Sequence, residues 1–396
     1  MSESCIYVPE ILLPVETIDL NAWAVIACDQ HTSDQNYWDQ LDRLVGNKPS
    51  TLRLTLPEIY LNGDYSARIA AISSAMRQYR ENGLFRKLPK GFILVQRKTP
   101  YVSKRTGLVL AVDLEAYSYE KKSDAPIRAT ERTIMERIPP RLKIREAADL
   151  EFPHTMLLYD DPENIVLRAV QKDLPPLYDF ELNMGGGHIS GQFIENYEAV
   201  LQAFDQIVQD DGLLFMVGDG NHSLATAKTA WEKLKPTLSE EERKTHPARY
   251  ALCEAVNVHD EGIYFEAIHR VVKGVDPQKF LHAFKPFGQG NAVIYVKGNA
   301  SPFGVSEDVP EAVAKVDEYI QRYIGENGGS VDYIHGEEAL KKLTAENSDC
   351  VGICLPKMNK ADIFRYVKTY GSLPRKTFSM GESEEKRYYV EGKEIR

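Results

Sequence analysis

The chain is poor in several things, and each shortage excludes something. Its 396 residues hold five cysteines, Cys5, Cys28, Cys253, Cys350 and Cys354, an odd and scattered set. That excludes a disulfide scaffold and fits a reducing compartment. Cys350 and Cys354 stand four apart in a strand-like run with no second pair, which disfavours a zinc site. Positive charge is also short: 48 Lys and Arg against 58 Asp and Glu leave a net charge of −10. Such a balance argues against broad binding to DNA or anionic membranes, while leaving room for a local basic site. No run of eighteen apolar residues occurs, and no basic-then-apolar leader opens the chain. No membrane span and a cytoplasmic location are therefore expected. There is no internal repeat and no low-complexity tract.

What is present is ordinary globular material, 43% apolar and 27% charged, long enough for two or three domains. The chain is organised around Leu213–Lys228. Leu213–Val217 reads as a buried strand, Gly218–Ser223 as a polar turn, and Ala225 onward as a helix that Pro236 ends. A strand that feeds a short glycine loop into a helix can present free N–H groups to an anion. Asp219 could then hold a metal or act as a base, and Asn221 and His222 could reach a phosphate or hydroxyl. The same pattern also fits a plain tight turn with an Asp or Ser cap.

Around this stretch, Trp23–Ala27 reads as a short strand ending in the polar corner Cys28–Ser33, before a helix over 34–45. Thr51–Leu56 alternates like a strand, and 64–82 reads as an amphipathic helix. Residues 91–97 and 106–114 read as a hairpin. Residues 154–159 and 165–171 read as strands and 195–209 as a helix. Residues 249–258 and 263–272 read as partner strands around an Asp260–Gly262 turn.

Several charged groups have two readings. Thr130, Glu131 and Thr133 could line a cleft flanked by Arg128 and Arg141, suited to an anionic substrate and one base. The alternative is a solvated helix face. Gly185–Gly187 before His188 could cradle a phosphate, but lacks the Lys-Ser/Thr of a P-loop and the spacing of a dinucleotide fingerprint. His269 and Arg270, adjacent in an apolar strand, point to opposite faces, so at most one faces a given cleft. His269 otherwise reads as a satisfied core histidine.

Taken in order, these segments resemble the bacterial and archaeal domain of unknown function 1015 family over nearly the whole chain. Its Asp-Gly-His-His-Arg signature stands here as Asp219-Gly220-Asn221-His222-Ser223. Its Arg-Thr-Gly-Leu hairpin is Arg105–Leu108, and its Pro-His-Glu-x-Thr element is Ala129–Thr133. Leu158–Pro162, His269–Val272 and Leu373–Thr377 match as well. Asn221, Ser223 and Thr130 depart from the pattern, which implies that phosphate-facing charge is reduced in this member. The Asp-Gly-x-His-x corner is also similar to the phosphate site of the ParB and sulfiredoxin superfamily, which includes nucleotide hydrolases and an ADP-dependent free-serine kinase.

The resemblance implies an α/β (α+β) protein: a mixed-sheet ParB/sulfiredoxin-like core in residues 1–274 and a smaller α/β domain in 275–396, whose tail could return to the first. It implies a nucleotide-dependent phosphotransferase acting on a small hydroxylated metabolite, with Mg²⁺ and ATP or ADP. Glu131 would be the base, Asp219 would bind Mg²⁺ or orient the nucleophile, and His222 would act with them. Gly220, Asn221, Ser223, Arg128, His188, His269, Arg270 and Lys376 would hold the nucleotide. The rival readings are a ParB-like nucleotide- or DNA-binding regulator and a catalytically inactive binding protein. A homodimer stays open.

Overall fold

A computed structural model of the chain describes residues 4–61 and 63–396. The contacts divide it into two units: one runs to Ile263 and takes up Glu382–Arg396, and the other is Tyr264–Gly381. The boundary expected after residue 274 thus stands ahead of Phe265–Lys273, and the last fifteen residues return to the first unit.

The first unit is built on a ten-stranded mixed sheet. From one edge its strands are Pro176–Glu181, His188–Ile194, Phe92–Lys98, Arg105–Asp113, Tyr250–Asn257, Met156–Tyr159, Phe215–Asp219, Ile127–Ala129 and Tyr117–Ser118, with Ile6–Tyr7 paired to Arg105–Asp113. Most neighbours are antiparallel. Met156–Tyr159 runs parallel to Tyr250–Asn257, and Ile127–Ala129 runs parallel to both Phe215–Asp219 and Tyr117–Ser118. All nine residues of Arg105–Asp113 are buried, because both sheet faces are covered. Side chains alternate across a strand. Val109 and Ala111 therefore enter one core, with Trp23, Trp38 and Tyr389. Leu108, Leu110 and Val112 enter the other, with Phe215, Leu224 and Trp231.

Within the Arg-Thr-Gly-Leu stretch, Gly107 has a specific reason. A β carbon there would lie 2.5 Å from Glu254 Oε1, so the buried Glu254 side chain occupies that space.

Five expectations change. Thr51–Leu56 is no strand: Thr51–Arg53 is a 3-10 turn, capped as Ser50 Oγ accepts from Leu52 N. Residues 165–171 hold a helix, Ile165–Ala169, because the Asp161 carboxylate accepts from the N–H groups of Ile165 and Val166. Trp23 ends a short helix, Leu20–Trp23, and only Val25–Ile26 is extended, paired with Tyr388–Tyr389. Tyr250–Asn257 and Phe265–Lys273 join different sheets rather than one hairpin. The central strand reaches Asp219, and its helix starts at Asn221 rather than Ala225.

The second unit has a six-stranded sheet in the order Asn299–Val305, Gly290–Val296, Cys350–Cys354, Phe265–Lys273, Ser330–His335, with Phe378–Met380 also paired to Phe265–Lys273. The helix Val309–Asn327 buries Val313, Val316 and Ile320 against Phe280, Phe284 and Ile353. Both units are thus mixed α/β. No helix among the described residues is long and apolar enough to cross a membrane.

Candidate functional site

The site begins where Phe215–Asp219 leaves the sheet. Its three apolar residues are fully buried, which fixes where the polar end emerges. Asp219 Oδ1 accepts from Gly220 N at 2.9 Å. Gly220 lies at φ 78°, ψ 27°, and the helix Asn221–Leu234 starts at the next residue with no side-chain cap. First-turn amides lack intrahelical partners and sit at the positive end of the helix dipole. A β carbon at Gly220 would meet Thr155 Cα at 2.9 Å. Both the left-handed backbone and the close approach therefore need glycine. Gly220→Ala should cost about 2 kcal/mol or more, since the left-handed conformation alone costs roughly 1–2. Urea unfolding would measure it; a loss below about 0.5 kcal/mol would show that the corner relaxes freely.

Three groups from the signature stretches meet here. Thr130 is buried and its hydroxyl donates to Val217 O at 2.6 Å. Asn221 Nδ2 lies 3.4 Å from Thr130 Oγ1, so two departures from the family pattern contact one another. His222 Nε2 accepts from Ile134 N at 3.2 Å, pinning the 130–134 segment to the helix. The neutral imidazole then carries its proton on Nδ1. Glu131 follows Thr130 on that segment and is half-buried, and Ser223 is half-buried in the first helical turn.

The other predicted residues are placed elsewhere. Arg128 turns to the opening end of its strand, where it pairs with Asp211 Oδ2 at 2.8 Å and donates to Ala125 O. His188 pairs with Asp179 across its own hairpin at 2.7 Å. His269, Arg270 and Lys376 belong to the second unit. There Arg270, fully buried, makes two 2.8 Å bonds to Asp317 and donates to the carbonyls of Ile268 and Lys376. His269 Nδ1 accepts from Leu355 N at 3.2 Å, and burial pushes its basicity down. Arg141 contacts Glu58, whose backbone N–H donates to Cys28 O at 2.8 Å.

What the sequence did not reveal is Lys386. Its ammonium lies 3.5 Å from Asp219 Oδ2, delivered by the returning tail. Asp29, in the Cys28–Ser33 corner, feels the same charge. Burial would raise its carboxyl, but His154, a hydrogen bond from Gln30 and Lys386 hold it below the usual carboxylate range. His154 Nε2 lies 3.6 Å from Asp29 Oδ2. Burial pushes the neighbouring Cys28 thiol up to about 12, with Asp29 adding to the rise, so it stays protonated. Among the described residues, no three His, Cys, Asp or Glu side chains gather as a metal-ligand set.

The arrangement is that of a mixed α/β protein with an uncapped helix start flanked by one lysine and two carboxylates. The chain belongs to the family described as protein of unknown function (DUF1015), whose model matches residues 12–378. No curated protein matches it. Among solved structures it is similar to free serine kinase in complex with AMP, at 10% identity and TM-score 0.40, covering 73% of this chain and 91% of that one. It is also similar to C-terminally truncated SbnI from Staphylococcus aureus, at 11% and 0.38, covering 69% and 82%. A conserved hypothetical protein from Pyrococcus furiosus gives 10% and 0.37, covering 69% and 90%. At these values the likeness bears on neither activity nor ligand.

Proposed function

We propose that the Asp219–Ser223 corner holds nucleotide phosphate and that the protein is a nucleotide-dependent phosphotransferase acting on a small hydroxylated metabolite. One observation carries this: the helix after Gly220 starts without a side-chain cap, beside the Lys386 ammonium. Backbone amides, a helix dipole and a point charge together are what phosphate oxygens require. Phosphoryl transfer itself asks mostly for positioning and charge neutralisation.

The donor set suits Mg²⁺ in the form that travels with a nucleotide. That ion takes one or two carboxylates and leaves its other positions to water and phosphate. Asp219 would hold it, and it would neutralise phosphate charge. Glu131 stands on the segment that His222 pins and would orient the acceptor.

A second reading, nucleotide binding without transfer, draws support from the Thr130–Asn221 contact, where two polar groups engage each other. Thermal denaturation of the full chain separates the readings from a protein with no nucleotide site. ATP, ADP or CTP with Mg²⁺ at a hundred times its dissociation constant should add about 2.7 kcal/mol. That is a rise of several degrees for a chain of this size. No rise with any of the three would end the phosphate reading.

A further inference from the structure

A buried relay ends on the Asp29 carboxylate. Cys28 N–H donates to the Tyr389 hydroxyl at 3.0 Å. The same hydroxyl lies 2.8 Å from His154 Nδ1, so the ring is held at that nitrogen whichever of the two donates. Tyr389 is 1% exposed and His154 is 9% exposed, so water does not compete for either bond. Held there, the ring presents Nε2 to Asp29 Oδ2, 3.6 Å away. Asp29 is the one member with substantial access: a quarter of its side chain is exposed. It shares the Lys386 charge with Asp219.

We propose that Asp29 takes the proton from the acceptor hydroxyl, and that His154 and Tyr389 are positioning residues that aim it. This rests on the phosphotransferase reading above. The acceptor oxygen forms a bond to the terminal phosphorus of the nucleotide. The bond from that phosphorus to the bridging oxygen breaks, and the electron pair leaves with the shortened nucleotide. The hydroxyl proton passes to a carboxylate oxygen of Asp29. His154 Nε2 stands 3.6 Å from Oδ2 and fixes how the carboxylate is turned, leaving the other oxygen for the hydroxyl. A lone exposed carboxylate would have no such orientation.

The test uses the full-length protein with ATP or ADP and Mg²⁺. Transfer to water and to a panel of small polyols and hydroxy acids is followed by ³¹P NMR. Asp29→Asn should keep the nucleotide-dependent rise in melting temperature and lower turnover by about 10²-fold or more. Asp29→Glu should recover part of it. ¹⁵N NMR should show the His154 Nε2 signal move in Asp29→Asn, a response that a histidine not facing that carboxylate would lack. His154→Gln should lower turnover at unchanged nucleotide affinity. The proposal is overturned by Asp29→Asn turning over like the natural protein, by a His154 Nε2 signal indifferent to Asp29→Asn, or by a natural protein that binds nucleotide yet transfers to nothing. Absence of any nucleotide-dependent rise is a different failure: it removes the phosphate site first.

Discussion

Replacing Lys386 by methionine should weaken ATP or ADP binding 10- to 100-fold while leaving the chain folded. A hydrogen bond to a charged group is worth about 1.5–3 kcal/mol, which sets that range. Lys386 has only 12% of its side chain exposed, so its charge is little screened by solvent. Methionine keeps the apolar stem and removes the ammonium. Asp219→Asn should act differently. It removes the carboxylate proposed for Mg²⁺, so the nucleotide-dependent rise in melting temperature should vanish with Mg²⁺ present. Lys386→Met should reduce affinity with or without Mg²⁺. Isothermal titration with ADP, with and without the metal, distinguishes the two. Equal losses in both variants under both conditions would mean that Lys386 and Asp219 serve only to hold each other.

The corner itself was legible because its signals are local. An apolar run, an Asp-Gly pair and a string of good helix formers lie within sixteen residues. The hairpin Phe92–Lys98 and Arg105–Asp113 was legible for the same reason. The tail was not. Tyr389 meets His154 across 235 residues, and Lys386 likewise reaches far back along the chain to Asp219. No periodicity records such contacts. Charged residues within strands misled for a related reason. Arg128 and Arg270 look like ligands for a phosphate, yet Asp211 and Asp317 satisfy them, and sequence spacing does not announce those partners. The strand expected at 165–171 fell to one side chain: Asp161 caps the segment and turns it into a helix. Phe265–Lys273 reads as the second arm of a hairpin. Its strand partners are instead Ser330–His335, Cys350–Cys354 and Phe378–Met380, all later in the chain.

Arg387→Met should cost about 3–5 kcal/mol, the range for leaving buried charge without its partner. Arg387 is 2% exposed and contacts Glu254, Glu391 at 2.6 Å and the carbonyl of Pro153 at 3.0 Å. Both carboxylates are as deeply buried as the guanidinium. Without Arg387, Glu391 keeps Tyr178 and Glu254 keeps the nearby charges of Arg105 and Arg97. Neither retains its ion pair. The pH dependence should change sign. Burial raises the Glu254 carboxyl, but Arg387 and Arg105 more than offset it and hold it below 4.5. In the natural protein this stability is fully present above pH 4.5 and is lost as pH falls through the lowered value. In the variant, burial dominates and the carboxyl rises above 4.5. Its remaining stability should then be greatest below pH 4.5 and decline as pH rises toward neutrality. Urea unfolding at pH 3, pH 5 and pH 8 measures both slopes, the natural protein's below pH 5 and the variant's above it. The consequence extends to function, because Arg387 stands between Lys386 and Tyr389 in the chain. A tail released from Glu254 and Glu391 no longer fixes the ammonium beside Asp219 or the hydroxyl beside His154. Nucleotide affinity should therefore fall in Arg387→Met even at temperatures where it remains folded. An Arg387→Met protein with natural stability and natural affinity would show that the tail is held by its other contacts, the strand pairings to Val25–Ile26 and Leu150–Glu151 among them.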